Sequence, residues 1–217
     1  MLEVIMWRIE KALAKSLGQS QGMSEDDISI LEFGLATVKS TVISFIVVVL
    51  AGLLVGQLLG TLVISFTVAL LRSMTGGPHC STEYRCAITS GMVFGLLGML
   101  SSRIWPHMSS GLIAVPGVML LIAILLWAPQ DCPEKPIISS SHRSKLRALG
   151  LAALAGLLLL QYYLAVQQFM PFTTWIAEGI FWQAVLLSPA GVWAIKQFDR
   201  GLEVVSQFLF HKASTTE

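Results

Sequence analysis

His79 and Cys86 stand seven residues apart in a polar stretch, Arg72 to Ser90, set between two long apolar runs. A thiol and an imidazole so close in sequence can share a proton. A free thiol, with a pKa of about 8.5, is only slightly ionised at neutral pH, and an adjacent base or imidazolium raises the thiolate fraction. The chemistry this pairing suits is attack on a carbonyl: Cys86 would hold the acyl group as a thioester while His79 delivers a proton to the leaving amine. Arg72 and Arg85 make the neighbourhood electropositive, and backbone N–H groups around Gly76, Gly77 or the next helix start are candidate oxyanion donors. Glu83, Thr89, Ser90 and the intramembrane Glu178 are each candidates to orient His79, and spacing does not choose among them. Cys80 is a rival nucleophile, although its place in a turn beside His79 predicts that it points away from the ring. Two other readings use the same residues. They are an incidental Cys and His in an interhelical loop, and a zinc site built from His79, Cys80, Cys86, Cys132 and His142. The His-Cys-x5-Cys order matches none of the usual closely paired ligand spacings, and no metal or other cofactor is expected.

These residues need elements to hold them. Gly76-Gly77-Pro78 cannot continue a helix, since glycine is costly there, proline lacks the N–H, and the residue before proline is pushed out of the helical region. Ser81 is the expected N-cap and Glu83 a first-turn acid for a helix carrying Cys86 more than a turn inside. The surroundings are apolar: 54% of the 217 residues are hydrophobic and 12% charged, with a mean hydropathy of +0.73, against about 25% charged in soluble domains. The expected fold class is therefore an all-α, polytopic integral membrane protein. A net charge of +1 offers no nucleic-acid surface.

Along the chain, Leu2, Ile5, Ile9, Leu13 and Leu17 recur at helical spacing, with Arg8, Lys11 and Lys15 mostly opposite and Trp7 available for the headgroup layer. This predicts an amphipathic interfacial helix. The same segment lacks a signal-peptide pattern, so none is expected to be removed. Ser24 and Asp27 resemble a capping box opening a second helix. The 34 residues from Val38 to Leu71 would span roughly 50 Å as one helix, well beyond a hydrocarbon core of about 30 Å, so two crossings are expected. Gly52, Gly56 and Gly60 would break the run or let helices approach closely, and leave a homodimer open. Ala87–Leu100, Gly111–Trp127, Leu149–Val166 and Thr173–Ile195 complete about six transmembrane segments in three hairpins. A four-segment arrangement with re-entrant pieces is the alternative. The expected parts of this single membrane domain are residues 1–37 (cytoplasmic or interfacial helices), 38–71 (first hairpin), 72–86 (the His79/Cys86 stretch), 87–127 (second hairpin), 128–147 (basic loop), 148–195 (third hairpin) and 196–217 (tail). Basic residues cluster in the stretch at Arg72–Arg85, the loop with Lys135, Arg143, Lys145 and Arg147, and the tail, whereas the other side has only Arg103. Both termini and the His79/Cys86 stretch are therefore expected in the cytoplasm, where the three cysteines are free thiols by default.

The pattern Arg72-x3-Gly76-Gly77-x-His79-x6-Cys86, followed by Ile88-Thr89-Ser90, resembles the signature of the accessory gene regulator B (AgrB) family of bacterial membrane cysteine endopeptidases. Glu32-Phe33-Gly34 looks like that family's Tyr-Gly entry, with Phe33 in place of the tyrosine. Trp127 to Asp131 with Lys135-Pro136-Ile137 looks like its Ala-Pro loop, here with Cys132 inside it, and Gly179 to Pro189 is similar to its last membrane segment. The resemblance implies a cell-membrane enzyme that cleaves the C-terminal part from a short AgrD-like propeptide and helps cyclise the rest into an autoinducing peptide for quorum sensing. It implies Cys86 as nucleophile, His79 as general base and acid, and Arg72, Gly76, Gly77 and Ser90 as the supporting and oxyanion region. The basic residues Lys135, Arg143, Lys145 and Arg147 would attract the acidic part of the propeptide, and the N-terminal helix would dock its leader. The competing function is a non-catalytic small peptide exporter whose polar stretch forms a gate.

Overall fold

The computed structural model describes residues 2–104, 112–131 and 139–214, and every regular element among them is helical. The helices are α1 (Leu2–Ser20), α2 (Glu25–Leu54), α3 (Leu58–Thr75), α4 (Glu83–Ile104), α5 (Val115–Trp127), α6 (Ser140–Val166), α7 (Met170–Leu187) and α8 (Pro189–Ser214). Of these, α2, α3, α4 and α6 are long and apolar enough to cross a membrane, which is the make-up of a multi-pass membrane protein. The chain forms two compact units, residues 1–46 and 47–217.

In the first unit α1 turns into α2 at the expected capping box. Ser24 Oγ accepts from the Asp27 N–H (3.2 Å) and donates to Asp27 Oδ2 (2.7 Å), and Glu25, Asp26 and Asp27 place acids at the positive end of α2. Of the expected apolar stripe of α1, Leu13 and Leu17 are exposed. The packed face is instead Ala14 with Gly18, the latter against Ile28. Leu2, Ile5, Trp7, Arg8 and Ile9 lie outside the described side chains.

The second unit begins within α2, and in it the first long apolar run breaks at Val55 to Gln57, with Gly56 in the left-handed region (φ 67°). All three glycines that suggested a second copy have uses within the chain. Gly56 makes the turn, Gly52 lies against the Leu58 backbone, and Gly60 lies against the Trp175 ring. Parallel helices α3 and α7 form the centre, with Gly60 facing Trp175, Gly179 facing Thr67, and Thr75 bonded to Gln183. Around them α5 and α6 contribute Leu120, Ile124, Leu154 and Leu157 to a core shared with Leu71, Ile180 and Leu187. On the other side α4 packs through glycines, Gly91 and Gly95 on Val47 and Ala51 of α2, and Gly98 on Thr61 of α3.

Two expected boundaries differ. The polar loop expected to run to Arg147 is helical from Ser140, because Ser139 is extended and its Oγ accepts from the His142 N–H (3.5 Å). The last apolar run, Thr173–Ile195, is not one helix. Pro189 forces Ser188 to an extended conformation (ψ 152°), and Ser188 Oγ accepts from the Gly191 N–H to start α8, so the expected tail is mostly helix.

Gly76, just past α3, has φ 73°, and a Cβ there would collide with the Gln130 carbonyl oxygen. Gly76→Ala should therefore lower stability by about 1–3 kcal/mol, from left-handed backbone strain plus displacement of the Gln130 segment. Gly156→Ala, in open space on α6, should leave it unchanged or slightly raised. Thermal unfolding in detergent measures both.

Candidate active site

The site is made where α3 stops. Its last turn closes with the Gly76 N–H donating to Arg72 O (2.9 Å), so the Gly76 amide, one of the expected oxyanion donors, already has an acceptor. The chain then leaves the helix, and its exposed polar groups are met by two other segments. Gln183 of α7 donates from Nε2 to Thr75 Oγ1 (2.8 Å) and to Gly76 O (3.0 Å). Gln130 donates its N–H to Thr75 O (3.0 Å) and its Nε2 to Leu187 O (2.6 Å). Arg72 turns back over Gly77, where a Cβ would touch its Cζ at 3.7 Å, and its Nη2 donates to the Pro78 carbonyl. These contacts set the exit direction of residues 76–80.

The return into α4 is capped one residue later than expected. Thr82, rather than Ser81, is the cap: the Arg85 N–H donates to Thr82 Oγ1 (3.4 Å) and the Cys86 N–H to Thr82 O (3.0 Å). Cys86 therefore sits in the first turn of α4, nearer the helix end than a Ser81 cap would put it.

At Cys86 the two segments meet. Its thiol pKa is pulled down to about 4, first by the Cys80 side chain, against burial, and then by the His79 side chain, the Arg72 charge and the Cys80 backbone N–H. His79 is exposed, whereas Cys80 and Cys86 are half-buried. Cys80 does not point away as expected. Its thiol faces Cys86, with Thr89 Oγ1 at 3.6 Å on its other side, and is pushed up from the usual range by the Cys86 hydrogen bond first and then by burial. It thus stays protonated at neutral pH and donates toward the Cys86 sulfur. Arg72, Cys80, Cys86 and Ser90 line one small cavity with Phe94, Trp182, Leu186 and Ile195; its volume of about 30 Å³ is room for about one water.

The other predicted residues lie elsewhere. Thr89 Oγ1 donates to Arg85 O (2.7 Å). Glu178 is buried on α7 beside Ser101, roughly 27 Å along α4 from Glu83 at the helical rise, so it does not orient His79. Arg147 donates twice to Ala128 O (2.9 and 2.7 Å), and Arg143 to Pro129 O (3.1 Å) and Asp131 Oδ2 (2.5 Å). Lys145 is exposed; Lys135 and Cys132 lie outside the described residues.

A family model described as accessory gene regulator B matches residues 10–187. The chain belongs to the AgrB family. It is 23% identical to the Clostridium perfringens (strain 13 / Type A) protein named "Putative AgrB-like protein 2", over 88% of this chain and 95% of that one. An AgrB-like protein of Clostridium beijerinckii is 23% identical over 67% of this chain and 71% of its own. One of Listeria innocua is 26% identical over 80% and 82%. No solved structure matches.

Sequence reasoning passed over Gln130 and Gln183 as parts of the site. A signal for Gln183 exists: an amide in a nearly continuous apolar run has to find a partner, and here the partners are the exposed groups at the end of α3. Gln183→Leu keeps most of the volume but leaves Thr75 Oγ1 and the Gly76 carbonyl without this donor. The expected cost is about 1–3 kcal/mol, read as a lower unfolding midpoint in detergent.

Proposed function

We propose that this AgrB-family protein is a membrane cysteine endopeptidase that cleaves the C-terminal part from a short AgrD-like propeptide and promotes cyclisation of the remainder into an autoinducing peptide for quorum sensing. The observation that carries this reading is the convergence on the Cys86 sulfur of the His79 side chain, the Cys80 N–H and the Arg72 charge. An exporter gate has no need of a nucleophile so provided.

In the proposed reaction the Cys86 thiolate attacks the scissile carbonyl carbon. The resulting oxyanion collapses, the C–N bond breaks, and the leaving amine takes its proton from the His79 imidazolium, leaving an acyl thioester on Cys86. The Cys80 N–H, aimed at the sulfur, is well placed to donate to an oxyanion formed beside it, a part that the Gly76 amide cannot take while it is bonded to Arg72 O. A thiol or hydroxyl of the substrate then gives its proton to the neutral His79 and attacks the thioester, so that the acyl–Cys86 bond breaks, the ring closes, and the Cys86 thiolate and His79 imidazolium are both restored. With a thiol, one thioester replaces another, so little bond energy changes, whereas hydrolysis would discard the activation. Apolar walls from Phe94, Trp182, Leu186 and Ile195 favour ring closure by limiting water. A one-water cavity does not hold a peptide, so binding requires these side chains to move.

The arrangement in the membrane is part of the proposal. Helices α2 to α7 make six crossings, with α5 apolar but shorter than the four long apolar helices and α7 as long as α3 but not among those four, and both termini and the Cys86 site face the cytoplasm of a bacterial cell. Because Arg143 and Arg147 are engaged with residues 128–131, any attraction for the acidic part of the propeptide rests mainly on Lys145 and Lys135.

Propeptide co-expressed with Cys86→Ala or His79→Ala should remain uncleaved, and Cys80→Ala should still cleave, at a reduced rate. Undiminished cleavage in either of the first two variants overturns the mechanism; loss in Cys80→Ala with retention in Cys86→Ala would exchange the nucleophiles. Mass spectrometry of the products also checks the cyclisation step, since full-rate turnover to linear peptide alone would contradict it.

A further inference from the structure

The turn leading into α4 is tied to a residue 118 positions away along the chain. The Ser81 N–H donates to Asp199 Oδ2 of α8 at 3.2 Å. Arg85 Nη1 donates to Ser81 Oγ at 2.8 Å and lies 3.6 Å from Asp199 Oδ1 and 3.5 Å from Glu203 Oε2. Asp199 and Arg85 are largely enclosed, with side-chain exposures of 16% and 18%. Ile195, Asp199 and Glu203 recur every fourth residue and so share one face of α8. Along that face Ile195 walls the Cys86 cavity and packs with Val68, Leu186, Cys80 and Trp182, while Asp199 meets the loop next to it. The opposite face exposes Trp193, Val204 and Phe208. All of α8 lies beyond the residues matched by the family model.

Both residues that Asp199 meets are next to the reacting groups. Ser81 follows Cys80, whose N–H and thiol face the Cys86 sulfur, and stands two residues after His79; Arg85 immediately precedes Cys86. A single carboxylate thus touches the segment that brings the base and the turn that brings the thiol. We propose that Asp199 is a positioning residue of the Cys86 site: by accepting the Ser81 N–H it holds residues 79–82 against the first turn of α4 and sets the approach of His79 to Cys86. The inference rests on the endopeptidase reading. Of its two contacts the amide bond is the directional one. The ion pair with Arg85 is shared with Glu203 and shifts the energy without fixing an angle.

The test compares Asp199→Ala and Asp199→Asn in full-length protein with a synthetic propeptide. The Ala variant should lose about tenfold or more in kcat with KM little changed, because small misplacement of reacting groups acts on the chemical step. The Asn variant keeps an acceptor for Ser81 and should recover most of that loss. Hydrogen exchange gives a second reading that does not depend on activity. Amides of residues 79–86 should exchange faster in Asp199→Ala than in Asp199→Asn, with α3 and α7 as in the parent protein. Wild-type kcat in the Ala variant, an Asn variant as slow as Ala, or fast exchange spread through α3 and α7 would each overturn the inference. Cys86→Ala is run alongside. Cleavage surviving there would remove the endopeptidase reading, and the exchange comparison would then judge the Asp199 tether alone.

Discussion

A helix that ends against an apolar core must find partners for its last carbonyls, and the Gln183 amide, donating to Thr75 Oγ1 and Gly76 O, meets that need at the end of α3. Because α3 and α7 run parallel, this bond fixes the register of the central pair at the level where the chain leaves the helix. Gln130 adds its own N–H to Thr75 O and packs its carbonyl where any side chain on Gly76 would stand. The glycine pair is thus a joint: the missing Cβ of Gly76 admits the Gln130 carbonyl, and Gly77 supplies a positive φ (149°) beside the Arg72 guanidinium.

That joint explains how a site with few charges is kept in shape. Arg72 is held by the Pro78 carbonyl beneath the turn and is still near enough to Cys86 to act through its charge. Arg143 and Arg147 do the same for residues 128–131. Three arginines therefore pair with backbone carbonyls near the ends of helices, where planar, multi-donor groups satisfy acceptors that the helices leave open. Cationic residues that orient a membrane protein and cationic residues that build its site are here in part the same residues.

The two half-buried thiols divide their roles by environment. Cys80 donates toward the Cys86 sulfur and is held in its protonated form, while Cys86 gathers donors from two directions. The local backbone makes the difference: Cys80 lies in the turn, where its own N–H also points inward, and Cys86 lies in a capped helical turn, where its sulfur is the common acceptor.

Much of this was legible in the sequence. The apolar runs, the glycine–proline breaker and the seven-residue spacing of His79 and Cys86 are local features, and local features determined the helices, the break and the two segments that meet there. The Ser24 and Asp27 capping box was read residue by residue for the same reason. What the sequence left open depends on contacts between residues distant along the chain. Thr82 rather than Ser81 caps α4, while Ser81 accepts from Arg85 Nη1 on its Oγ and gives its N–H to Asp199 of the distant helix α8. Cys80 faces Cys86 because of the way residues 76–80 leave a joint built by Gln183 and Gln130. Glu178 was a candidate to orient His79 by composition and is separated from it by most of the length of α4. Periodicity places a residue on a helix face within a turn or so; which faces meet, and at what height, is decided by packing and by the pairing of buried polar groups, and only the tertiary structure contains those.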